Sequence, residues 1–131
     1  MTKKSDEKFR KELNTGAISL LLLSLIHEQG EPMYGYEIGE LLSQRSEQDL
    51  PMNQGAIYPV LRSLEKQGLL RSKRIPSSSG PPRKYYSLTA GGKKSLRAWT
   101  GIWQQTTDFV NSFLESCNAN ETEDGHRKVS Q

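Results

Sequence analysis

Asn53 to Lys84 reads NQGAIYPVLRSLEKQGLLRSKRIPSSSGPPRK. Ile57, Leu61 and Leu64 recur in it at i, i+4 and i+7, which puts them on one face of a helix. Asn53, Gln54, Tyr58, Arg62 and Lys66 fall mostly off that face. Asn53 suits the N-cap, because its side-chain oxygen can accept an orphan backbone N–H. Gly68 suits the C-terminal stop, because glycine accepts the left-handed conformation found there. Pro59 removes one hydrogen bond inside the helix and predicts a kink in its first turns. Beyond Gly68, Leu69 to Ile75 alternates loosely and predicts a strand. Pro76 to Pro82 is a cluster of chain breakers, and Arg83 to Leu88 predicts the returning strand. Taken alone, the helix fits an ordinary amphipathic surface helix as well as it fits a recognition helix.

Upstream lie two more helical patterns. Leu13, Ala17, Leu21 and Leu25 step by four, with Ile18 and Leu22 beside them, and predict a largely buried helix from Leu13 to Gln29. His27 near its end reads as a helix-end residue satisfied by carbonyls more readily than as a ligand or a base. Gln29 to Pro32 is a turn, after which Tyr34 to Ile38 opens a second helix ending near Ser46, with Ile38, Leu41 and Leu42 on its core side. Tyr36 is placed to offer its phenol to a phosphate, or equally to sit at the edge of the core. Residues 1–12 carry five Lys/Arg and three acids and predict a flexible arm. A basic arm reaching into a minor groove is the functional alternative for that segment.

The order helix, helix, helix and two-stranded hairpin is that of a winged helix-turn-helix, here a mainly α fold with a small β-hairpin over residues 13–88. Thr89 can cap one further helix. Ala90-Gly91-Gly92-Lys93-Lys94 lacks the Gly-x4-Gly-Lys-Ser/Thr spacing of a phosphate loop. Leu96, Trp99, Trp103, Thr106, Val110, Phe113 and Cys117 then alternate steps of three and four, a heptad seam with one polar break at Thr106. Such a seam folds back on its own domain or meets a second copy. The winged domain supplies its own core, so residues 89–117 are expected to form a dimerisation helix through Leu96, Trp99, Trp103, Val110 and Phe113, aided by Leu21 and Leu25 of the first helix. Residues 118–131 are polar and predict a disordered tail.

The chain has 131 residues, a net charge of +3 and a single cysteine, Cys117. One cysteine excludes a disulfide within the chain and fits a reducing cytoplasm. No apolar run is long enough to span a membrane, and the N-terminus lacks the apolar stretch of a secretory signal. The charge is unevenly placed. From Arg62 to Arg97 ten Lys/Arg stand against one acid, Glu65, whereas Glu28 to Leu50 carries six acids and one arginine. A basic concentration of that kind suits a polyanion, most simply nucleic acid. An enzyme is disfavoured: the two histidines, His27 and His126, lie far apart in the chain, Cys117 has no evident base, and no paired metal ligands or cofactor motif occur.

Four blocks carry a resemblance: Tyr34-Gly35-Tyr36-Glu37-Ile38, Gly55 to Glu65 (GAIYPVLRSLE), Gly68-Leu69-Leu70, and Pro82 to Thr89 (PRKYYSLT). Together they resemble the PadR family of bacterial transcriptional regulators, over about Ala17 to Leu96. The single C-terminal helix is similar to that of the small subfamily. The resemblance implies a homodimer that binds a palindromic operator in double-stranded DNA, usually as a repressor, and in some members leaves the DNA when a small aromatic molecule binds. Carried onto this sequence, it nominates Asn53, Gln54, Tyr58 and Arg62 on the third helix, with Arg83 and Lys84 in the wing. The wing tip, Ser77 to Pro82, is individual in sequence.

In the implied mechanism the third helix enters the major groove. Asn53 and Gln54 have the amide geometry to read adenine, and Arg62 can reach a phosphate or a guanine. Arg74, Arg83 and Lys84 would hold phosphates, with Tyr36 as an added donor. Trp99 and Trp103 could stack on a planar aromatic effector, or simply pack an interface. The rival reading is a winged helix used only for protein–protein contacts, with its basic face serving solubility.

Overall fold

The structure, a computed structural model, describes residues 3–46 and 54–127. The elements are α1 (Lys3–Gln29), β1 (Met33–Tyr34), α2 (Gly35–Ser46), α3 (Gln54–Lys66), β2 (Leu70–Ser77), β3 (Gly80–Leu88) and α4 (Ala90–Arg127). The chain divides into two compact units, Met1–Arg97 and Ala98–Gln131.

In the first unit the three helices pack around one apolar centre. Ile18, Leu22, Leu25 and Ile26 come from α1, Ile38 and Leu42 from α2, and Ile57, Leu61 and Leu64 from α3. Met33, Leu70 and Tyr86 bring the sheet onto the same core. The Ile57/Leu61/Leu64 stripe is fully buried, as its spacing requires. Removing any of the three to alanine would leave a cavity costing about 2–5 kcal/mol. Leu25, expected at a subunit interface, is only 4% exposed and belongs to this core. The four-residue step that marked it holds equally for a helix face buried within its own domain.

Two boundaries differ from expectation. Residues 3–12 are helical instead of forming a flexible arm. Their Lys, Arg, Glu and Phe residues are tolerated or favoured in helices, and Lys8 pairs with Glu12 at 2.8 Å, one turn on. Residues 118–127 likewise continue α4 and replace the disordered tail expected there. Extending a helix already formed adds one hydrogen bond for each residue fixed, and the segment contains no proline.

The sheet has three antiparallel strands in the order β1-β3-β2. Strand β1 was not anticipated. It is two residues long, too short to show alternation, and pairs Met33 with Tyr86 and Tyr34 with Tyr85. The hairpin strands reach further than the prolines suggested. Ser77 pairs with Gly80, leaving Ser78 and Ser79 as the turn, and the irregularity between Ile75 and Ser77 falls where Pro76 meets Pro81 and Pro82. Near the tip β3 pairs only with β2, so prolines there need give up no central ladder bond.

Helix ends are set by local chemistry. The Glu37 carboxylate accepts the Tyr34 N–H at 3.1 Å, the reach-back half of a capping box, and starts α2. Gly68 takes φ +81° after α3. The Leu69 N–H then bonds the Leu64 carbonyl at 3.0 Å and the Gly68 N–H bonds that of Glu65 at 2.9 Å, which together form a Schellman stop. Pro59 sits inside α3 without ending it. The bond it removes is that to the Gly55 carbonyl, and Gly55 is exposed in the first turn, where water can take that role.

Candidate nucleic-acid interface

Burying Ile57, Leu61 and Leu64 turns the opposite side of α3 outward. Gly55, Ala56, Pro59, Arg62, Ser63 and Lys66 are exposed there. Arg62 and Lys66 are one turn apart, so both charges lie on the outward side of the helix. Tyr58 is half-buried. Its ring closes on Gly35, where an added Cβ would lie 3.7 Å from Tyr58 Cε1 and 3.4 Å from Tyr86 Cε2. Tyr58 therefore joins α3 to the start of α2. Gln54 opens α3, and Asn53 lies outside the described residues.

The hairpin presents two faces, because successive strand residues point to opposite sides. Cross-strand pairs Leu70–Leu88, Ser72–Tyr86 and Arg74–Lys84 share one face, and Arg71–Ser87, Lys73–Tyr85 and Ile75–Arg83 share the other. The first face looks onto α3. There Glu65 accepts a hydrogen bond from Ser72 Oγ at 2.5 Å and pairs with Lys84 Nζ at 3.1 Å. The Ser72 hydrogen bond, followed by the Lys84 ammonium and the charge of Arg74, holds the Glu65 carboxyl below its ordinary value against the opposing effect of desolvation. The hydrogen bond to Glu65 raises Lys84. Its ammonium also lies 5.4 Å from the centre of the Tyr86 ring. Lys84, expected to hold phosphate, is thus paired with Glu65 within the protein.

On the other face Arg83 lies 4.9 Å from the centre of the Tyr34 ring. Tyr34 is 5.7 Å from Tyr85 and 6.2 Å from Tyr36, ring to ring. Stacking of this kind orients a guanidinium while leaving its N–H groups open to a further partner. Arg83 and Arg74 are both exposed, on opposite faces of the ribbon. The basic side chains therefore flank the hairpin on both sides and do not all converge on one.

Tyr36 is 49% exposed. Its phenol hydrogen-bonds Glu40, and that bond and the carboxylate charge raise its pKa. A groove of about 550 Å³ beside it is lined by Tyr36, Tyr85, Glu37 and Glu40 among others. The phenol is thus engaged with a carboxylate beside a groove that carries Glu37 and Glu40.

Unit Ala98–Gln131 is helical through Arg127. Trp103, Val110 and Phe113 of the expected seam are exposed there, and Trp99 is half-buried. Ile102, Phe109 and Leu114 add exposed apolar area that the heptad left out, and Phe109 meets Phe113 edge-on at 5.0 Å. Leu21 and Leu96 in the first unit are half-buried. Among the described residues no group of three His, Cys, Asp or Glu could hold a metal ion, and no helix is long and apolar enough to cross a membrane.

Sequence reasoning missed Glu65 and Tyr34. Both left a signal: Glu65 is the lone acid among ten cations, and Tyr34 stands two residues before Tyr36 at the head of a helix.

Comparison with known proteins agrees with this architecture. A PadR family transcriptional regulator from Eggerthella lenta DSM 2243 shares 34% identity, covers 86% of this chain and 94% of its own, and superposes with a TM-score of 0.73. One from Clostridium difficile R20291 shares 34% identity over 74% of this chain and 97% of its own, with a TM-score of 0.61. A PadR-like regulator from Bacillus cereus shares 30% identity over 79% and 96%, with a TM-score of 0.63. The family described as "Transcriptional regulator PadR-like family" matches residues 22–98, from the last third of α1 to the early turns of α4. The chain belongs to the PadR-like family of transcriptional regulators.

Proposed function

We propose that this protein is a cytoplasmic, sequence-specific DNA-binding regulator that acts as a homodimer on a palindromic operator, as a repressor. The observation that carries the reading is the outward face of α3, with Arg62 and Lys66 exposed beside a hairpin bearing Lys73, Arg74 and Arg83. An α-helix fits the major groove, and a flanking basic ribbon can hold phosphates and fix register. The family and the solved relatives support the same role. Arg62 is placed to reach a guanine or phosphate, and Asn53 and Gln54 would bring amides to base edges at the head of the helix.

The exposed apolar stripe of residues 102–114 supports self-association, because a row of aromatic and aliphatic side chains in water favours burial. Two copies would set their helices in grooves about 34 Å apart on one side of the duplex. A planar aromatic effector would stack on Trp99 and Trp103. Tryptophan quenching by aromatic acids and amines tests that part separately.

The deciding experiment is selection of genomic fragments by the purified chain, followed by gel shift of the recovered fragment and of a shuffled duplex of equal length. Recovery of an inverted repeat, bound in preference to the shuffled duplex, is expected. Equal binding of both overturns sequence-specific recognition, and binding of neither overturns the reading and favours the protein-contact alternative.

A further inference from the structure

We infer that Glu65 is a positioning residue for DNA recognition: its carboxylate fixes the wing against the recognition helix and withholds Lys84 from phosphate. This rests on the proposed DNA-binding function. Glu65 is the sole acid between Arg62 and Arg97, a stretch with ten Lys/Arg. A negative charge there opposes a phosphate backbone, so on electrostatics alone its removal strengthens binding to any duplex.

The geometry explains its presence. Glu65 sits on α3 three residues after Arg62, on the side turned toward the sheet. One carboxylate oxygen, Oε2, takes the Ser72 hydroxyl of β2, and the other, Oε1, takes the Lys84 ammonium of β3. Ser72 and Lys84 lie diagonally across the hairpin on the same face, since Ser72 pairs with Tyr86 and Arg74 with Lys84. One carboxylate on the recognition helix therefore grips both strands of the wing, and two anchor points fix both distance and rotation. Its side chain is 31% exposed and that of Lys84 34%, so the pair is partly screened from water. Arg83 and Arg74, flanking Lys84 in sequence and across the ladder, are left exposed to meet phosphate. Their placement relative to Arg62 then depends on Glu65.

The two accounts predict opposite signs. Glu65→Gln preserves size and an acceptor for Ser72, and loses the charge that holds Lys84. If Glu65 positions the wing, the ratio of affinities for the genomically selected fragment and a shuffled duplex falls by about tenfold, an effect of ordinary size for coupled neighbours. Binding to the shuffled duplex stays equal or tightens. Ser72→Ala, which keeps every charge, should lower the same ratio. Lys84→Gln should leave the salt dependence of shuffled-duplex binding unchanged, whereas loss of a true phosphate contact lowers the slope by about 0.9.

Equal tightening of Glu65→Gln on both duplexes, or a reduced slope for Lys84→Gln, overturns the inference. Amide hydrogen exchange of the DNA-free protein supplies a second arm: Glu65→Gln should exchange faster along Leu70–Leu88 while the Leu22 and Leu61 amides stay protected. Unchanged hairpin exchange also overturns it. If the wild-type chain shows no preference for any duplex, the functional reading fails, and the exchange arm still decides whether Glu65 anchors the wing.

Discussion

The Thr89 hydroxyl donates a hydrogen bond to the Gly68 carbonyl at 2.7 Å. The Thr89 hydroxyl oxygen in turn accepts the Gly92 N–H at 2.9 Å, and the Thr89 N–H bonds the Leu69 carbonyl at 3.2 Å. One residue thus caps the start of α4 and ties it to the stop signal of α3. Thr89→Ala should destabilise the fold by about 1–2 kcal/mol, as loss of an N-cap with a second bond implies, and Thr89→Ser should recover most of it. Urea unfolding followed by circular dichroism checks both. Equal stability of the alanine and serine variants would remove the hydroxyl from the account.

Gly92 is buried one turn into α4 because nothing larger fits. A Cβ there would lie 2.1 Å from the Leu69 carbonyl oxygen and 2.7 Å from Leu88 Cδ2. Gly91 meets only ordinary contacts at 3.6 and 3.7 Å. Gly92→Ala should therefore cost about 1–3 kcal/mol through forced displacement of backbone. Gly91→Ala should be neutral or slightly stabilising, since alanine is the better helix former. The melting temperatures of the two single variants test the contrast, and equal values would contradict it.

These examples show what sequence can and cannot carry. The buried stripe of α3, the Gly68 stop and the Thr89 cap were legible because each depends on residues within a turn of one another. Strand β1 was not, since two residues hold no period. Leu25 lies in the core and not at an interface: periodicity marks an apolar face without saying what covers it. The ion pair of Lys84 was hidden for a related reason: its partner Glu65 is close in space and far in sequence. Arg83, one residue away, kept an exposed position because alternation sent it to the opposite face.

Acid should weaken the anchor made by Glu65. Its carboxyl is lowered from the ordinary 4.5 by Ser72 and Lys84. A lowered folded value means the unfolded chain binds the proton more readily, so the stabilisation is present above about pH 4.5 and falls away as pH drops through the lowered value. Lys84 is raised by the same partner, so its contribution is full below its ordinary 10.5 and is lost only as pH rises past the raised value. The stability difference between wild type and Glu65→Gln should therefore be present at pH 7 and shrink toward pH 3. Urea titrations at the two values measure it. A difference that grows in acid would reverse the sign and dismiss the ion pair as its source.

Arg83 should count toward phosphate binding where Lys84 does not. Its guanidinium is stacked on Tyr34 yet exposed, with no carboxylate partner in the structure among the described residues. Arg83→Ala is expected to weaken binding to every duplex alike and to lower the slope of log affinity against log salt by about 0.9, one released counterion. Fluorescence anisotropy with a labelled duplex across a salt series gives the slope. A loss confined to the selected fragment, with the slope unchanged, would assign Arg83 to base reading instead.

Phe113 tests the apolar stripe of the second unit. It is 64% exposed and packs edge-on with Phe109, one turn earlier on the same helix. A phenylalanine pair left in water gains more by burial against another copy than by its own contact, about 1.5–3 kcal/mol for each ring fully covered. Phe113→Glu would place a charge at that surface, where burial is prohibitive without a partner. Sedimentation equilibrium should then give the 14.8 kDa of a single chain in place of twice that mass. Affinity for an inverted repeat should fall by about a hundredfold or more, because two half-sites are no longer held by one molecule. Binding to a single half-site should be unchanged, since residue 113 lies in the unit that does not carry α3. A variant that keeps the double mass would place the subunit interface elsewhere and leave these rings to another partner.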